Sequence, residues 1–100
     1  MIRGTTPTHV FELPVDAALI DKVLVVYAQN GEEVFHKTKK DCQMDGMELS
    51  VRLTQTDTLK LSCGYNAQIQ LKMLLHDGNV MISNAKLVYV RDCYSNEVIE

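Results

Sequence analysis

Residues 53–75, LTQTDTLKLSCGYNAQIQLKMLL, decide how this chain folds. The stretch leaves an alternating strand at Leu53, passes Thr54-Gln55-Thr56-Asp57 and turns at Gly64. A hydroxyl followed three residues later by a carboxylate satisfies the first free N–H groups of a helix, so the spacing predicts one helical turn over Gln55–Lys60. Leu59 and Leu61 are then placed to plug the end of a core. From Asn66 to His76, Ala67, Ile69, Leu71, Met73 and Leu75 share one face. Gln68, Gln70, Lys72 and His76 share the other, which is the period of a half-buried strand. A strand, a capped turn and a second strand of this kind carry a chain from one sheet of a β-sandwich to the other.

Upstream, residues 1–7 read as a flexible or edge-pairing tail. Thr8–Leu13 is a short strand, Val10 alternating with His9 and Phe11 with Glu12, and Pro14 stops it. Asp16 caps a bridging turn through Leu19. Asp21–Gln29 carries Val23, Val25 and Tyr27 on one face and Leu24, Val26 and Ala28 on the other, so it is apolar on both. Asn30-Gly31 is a two-residue hairpin signal, because both central residues of a type I′ turn need positive φ. The polar return, Glu32–Lys39, reads as an edge strand. Cys42-Gln43-Met44 and Asp45-Gly46 read as a second turn, and Met47–Thr54 as a strand with Met47, Leu49, Val51 and Leu53 inward.

Downstream, Asp77-Gly78 opens another hairpin, and Asn79–Arg91 returns. Val80 and Ile82 share one phase while Leu87 and Tyr89 fall on the opposite one, which predicts a bulge or break near Ser83-Asn84. Asp92–Glu100 reads as a second flexible tail. The whole is all-β: an antiparallel, immunoglobulin-like sandwich of about seven strands with one helical turn near residues 55–60. A small, partly closed barrel from the same strands is the alternative.

One hundred residues allow a single domain, residues 1–100. Residues 1–50 hold five basic and eight acidic side chains and residues 51–100 five of each, so the net charge of −3 arises in the first half. No basic footprint for phosphate exists, which argues against nucleic acid. His36–Lys40 is a basic cluster that a solvated strand edge explains. Three widely spaced cysteines are not a secreted disulfide framework. No signal peptide or membrane-length apolar run is visible. Folding in a reducing cytoplasm is the expectation, with no membrane insertion.

No chemistry-bearing constellation stands out. His9, His36 and His76 fall on strand positions, and neither they nor Cys42, Cys63 and Cys93 show ligand spacing for zinc. Cys63 beside Gly64 fits a small residue at a tight corner better than a nucleophile. Asp57 is accounted for by its cap, and Asp45 and Asp77 by their turns. No cofactor, metal or catalytic residue is expected. The informative anomaly is surplus apolar surface, since a sandwich strand has only one inside face. Leu24, Val26, Val88 and Val90 are the residues expected to form an interaction surface.

The segments Thr6–Leu13 (TPTHVFEL), Val25–Gly31 (VVYAQNG), Leu49–Lys60 (LSVRLTQTDTLK) and Ile69–Leu71 with Asp77-Gly78 resemble small proteins of tailed phages and prophages of Gram-positive hosts. These look like stand-alone relatives of the N-terminal β-sandwich domain of phage baseplate upper proteins. The resemblance spans about nine-tenths of the chain and carries no site signature. It implies a non-enzymatic structural component of the virion or tail region, with other phage structural proteins or further copies of itself as partners. The long C-terminal extension of full baseplate proteins has no counterpart here, so a receptor-binding arm is not implied. The rival expectation is a carbohydrate-binding module contacting the host surface; the absence of Trp and the six aromatic residues weigh against it.

Overall fold

Three capped helical turns organise the fold, because each carries the chain between two sheets. A computed structural model describes all residues, Met1–Glu100. β1 (Thr8–Glu12) leads through the 3₁₀ turn Ala17–Leu19 into β2 (Ile20–Gln29), which hairpins into β3 (Glu32–Thr38). The 3₁₀ turn Lys39–Asp41 leads to β4 (Cys42–Asp45), which hairpins into β5 (Glu48–Arg52). Helix α1 (Gln55–Leu59) then connects to β6 (Asn66–Leu75), followed by β7 (Val80–Ile82) and β8 (Lys86–Tyr89). The smaller sheet has the order β1-β5-β4. The larger runs β3-β2-β6, with β7 and β8 sharing the far side of β6. Every strand pair is antiparallel.

The caps are local chemistry. Asp16 Oδ1 accepts from Ala18 N at 2.9 Å. Asp41 Oδ2 accepts from Thr38 N at 2.9 Å. Asp57 Oδ2 accepts from Thr54 N at 2.9 Å, while Asp57 N donates to Thr54 Oγ1 at 3.1 Å. Thr54 and Asp57 thus close a reciprocal box, and Thr38 and Asp41 repeat its threonine-to-aspartate spacing. The third crossing is the one expected at residues 54–71. Thr38-Lys39-Lys40-Asp41 carries the same signature, which the sequence reading passed over.

The core lies between the sheets. Val23, Val25 and Tyr27 meet Ala67, Ile69, Leu71 and Met73 from the larger sheet; Leu49, Val51 and Leu53 face them from the smaller. Leu61 plugs the end, as expected, and Leu59 is only half-buried. At Asn30-Gly31 φ is 54° and 78°, both positive as the tight hairpin requires.

Two expectations are corrected. There are eight strands, because Cys42–Asp45 pairs with β5 instead of forming a turn. Four residues with Cys42 and Met44 inward are too short for a period to declare itself. Met47 lies at the β4–β5 turn and is 54% exposed. His9 faces inward, opposite Val51, and Val10 outward, opposite Ser50. Of the two readings of residues 1–7, a flexible tail or an edge-pairing one, the second holds: Ile2 bridges Arg91, and Arg3 N donates to Arg91 O at 2.9 Å.

Candidate functional site

The two sheets present very different outer faces. On the smaller sheet the outward rows are Thr8–Arg52, Val10–Ser50–Gln43 and Glu12–Glu48–Asp45, polar except for Val10. On the larger sheet the rows begin with Lys22–Leu74–Val80 and Leu24–Lys72–Ile82. Val26–Gln70 follows, then Ala28–Gln68–Leu87, and Asn66–Tyr89 ends the face. Antiparallel sandwiches usually alternate apolar-in and polar-out. The larger sheet breaks that rule. Leu24, Leu74 and Val80, with the stems of Lys22 and Lys72, line a shallow cleft of about 320 Å³.

The break between β7 and β8 creates this face. Lys72 pairs with Ile82, but Ile69 pairs with Lys86, so the β7–β8 side holds one residue more than β6 across the same span. Ser83 fills the gap: its N–H donates to Leu71 O at 2.9 Å, and its Oγ accepts from Leu71 N at 2.9 Å. Gln70 Nε2 donates to Ser83 O at 3.0 Å. The extra residue moves Leu87 and Tyr89 onto the same face as Val80 and Ile82. All four are exposed, at 60, 53, 54 and 58%.

Of the residues expected to form the surface, Leu24 and Val26 lie on this face and are half-buried by their neighbours. Val88 and Val90 do not. Val88 sits opposite Ala67 and packs on the core, and Val90 is fully buried within it. The predicted break is present, and it turns Val88 and Val90 toward the core. Leu74, Val80, Ile82, Leu87 and Tyr89 are the residues the sequence reading missed. The signal was the phase change itself.

The histidines and thiols are dispersed. His9 Nδ1 lies 2.7 Å from the hydroxyl of buried Tyr27, which stacks on Phe35 at 4.7 Å between ring centroids. Burial, with Lys86 nearby, lowers the His9 pKa, and burial raises that of Tyr27. His36 pairs with Glu33 at 3.3 Å, and His76 approaches Asp21 at 4.0 Å. Cys42, Cys63 and Cys93 are free and half-buried. Burial pushes the Cys42 thiol up to about 11, and a thiol held protonated is a poor nucleophile. No group of three or more His, Cys, Asp or Glu side chains is arranged to hold a metal ion. No helix is long and apolar enough to cross a membrane. No protein-family model matches the chain, and no curated protein or solved structure does.

Proposed function

We propose that this protein is a non-enzymatic contact module, a component of a phage virion or tail region that docks on structural proteins of the virion, further copies of itself among them. The observation that carries this reading is the asymmetry of the sandwich: one outer face is polar, while the other exposes Val80, Ile82, Leu87 and Tyr89 around half-buried Leu24, Val26 and Leu74. Apolar surface left in water at this density is characteristic of an interface in waiting. The resemblance of the chain to stand-alone baseplate-type sandwiches supplies the phage context.

The test is direct binding to purified tail and baseplate proteins of the parent phage, followed by calorimetry. The wild-type chain binds at least one of them, and Val80→Asp weakens that binding at least tenfold, the loss expected when a charge is buried in an interface. Absence of binding to every virion component removes the proposal. So does equal binding by the variant.

A further inference from the structure

We infer that the outer face of the larger sheet is self-complementary and takes a second copy of this chain in a two-fold, face-to-face dimer. This rests on the reading of that face as a docking surface and names its occupant.

The register supplies the argument. Consider an axis lying between two such faces and crossing the strands at the row Val26–Gln70. Rotation about it keeps the strand order and reverses the rows. The row of Leu24, Lys72 and Ile82 then meets the row of Ala28, Gln68 and Leu87 from the other copy. Ile82 falls on Leu87, Val80 on Tyr89, and Leu24 on Ala28. These apolar positions lie at matched distances on either side of the axis because the extra residue at Ser83 restores the phase. In an isologous contact each residue pair occurs twice, so such matching is what a two-fold interface requires.

The charges agree. Lys72 meets Gln68, Lys22 meets the row of Asn30, and Glu33 meets Thr38, so no like charges are opposed. His36, in the axial row, faces its own copy and is already bonded to Glu33 within its chain. Rotation about the strand direction along β2 would instead set Lys22 against Lys22, and like-charge juxtaposition disfavours it.

The area is sufficient. Four strand positions at about 4.8 Å and a length of about 30 Å give roughly 600 Å² per copy, or about 1,200 Å² in all. That is the lower end of the specific range, which fits a reversible dimer dissociating on the order of micromolar concentrations. Two sheets stacked with a crossing near 30° would preserve the axial contacts best.

The experiment uses a designed charge pair in the full chain, read by sedimentation equilibrium with reductant from about 1 μM to about 1 mM. Ile82→Lys alone and Leu87→Glu alone each raise the dissociation constant at least tenfold, with unchanged far-ultraviolet circular dichroism. The double variant returns to within about threefold of wild type, because each introduced cation then meets an introduced anion across the axis. Within one chain the two positions are four rungs apart, about 13 Å, so an intramolecular pair does not explain the rescue. A wild-type chain that stays monomeric overturns the dimer and leaves the face to a different protein, a question the virion-protein binding experiment decides separately. A dimer indifferent to both single substitutions, or not rescued in the double variant, also overturns it.

Discussion

Single residues do the most work at the crossing between β5 and β6. Lys37 points to the core side of β3, opposite Val25, and its Nζ lies 2.6 Å from Asp57 Oδ2. Burial alone would raise the Asp57 pKa; hydrogen bonds from Lys37 and Thr54 outweigh it, and the carboxyl titrates below its usual value. A depressed carboxylate stabilises the fold above its unfolded pKa of 3.8 and loses that contribution as pH falls through the folded value. Asp57→Asn therefore costs about 2 kcal/mol at pH 7 in urea unfolding, and the difference from wild type narrows below pH 4. A difference constant down to pH 2.5 would show that the ionised carboxylate is not its source. His9 acts at a higher pH. Its folded pKa lies below 6.5, so its stabilisation is complete above 6.5 and declines as acid protonates the unfolded chain first. The wild-type urea midpoint falls from pH 6.5 to pH 5, and His9→Leu, starting about 1–2 kcal/mol lower because Tyr27 loses its partner, shows a shallower decline. The Thr54–Asp57 box was legible because it spans four residues. Lys37 was not, because its contact depends on β3 folding over α1.

At the scale of strands, alternation declares that a strand exists but not what lies beside it. β5 was plain in the sequence; that Glu48 sits between Glu12 on β1 and Asp45 on β4 was not, since register is a long-range property. Three exposed carboxylates thus share one row, and like charges directly opposite one another destabilise a sheet. Glu48→Gln accordingly raises stability by about 0.5–1 kcal/mol in denaturant unfolding at low salt. Because the Debye length shortens to a few ångströms at high ionic strength, the gain shrinks toward zero in about 1 M salt. A gain unaffected by salt would mean that something other than repulsion had changed. The same limit explains the two residues misplaced on β8. A phase change was visible near Ser83, yet its meaning depends on whether the extra residue is absorbed within the ladder or resets the strand. Only pairing with β6 answers that: Ile69 opposite Lys86, Lys72 opposite Ile82.

Over the whole molecule, the fold class was readable because capped turns and period-2 strands are local signals in agreement with one another. The fastening of the termini was not, because it joins residues nearly a chain length apart. Arg3 is the fastener. Its Nε donates to Leu61 O at 2.6 Å and one Nη to Leu59 O at 2.9 Å, two carbonyls at the open end of α1. Its other Nη reaches Asp92 at 2.9 Å. Thr58 completes the seam, donating to Thr5 O and accepting from Gly4 N, each at 2.9 Å. One planar guanidinium thus joins the first residues, the crossing helix and the segment after β8. A lysine ammonium is a single point with rotating donors and cannot reach three directions at once. Arg3→Ala and Arg3→Lys should therefore both destabilise, by about 1–3 kcal/mol for the lost carbonyl contacts, with melting falling about 4–8 °C per kcal/mol in a domain of this size. Hydrogen exchange provides the finer readout. In both variants the amides of residue 3, Gly64 and Arg91 lose protection ahead of those in β2 and β6, because the seam opens while the double-sheet core holds. If Arg3→Lys were as stable as wild type, the charge alone would suffice and the forked geometry would be incidental. If β2 and β6 lost protection together with the seam, the termini would be an integral part of the core.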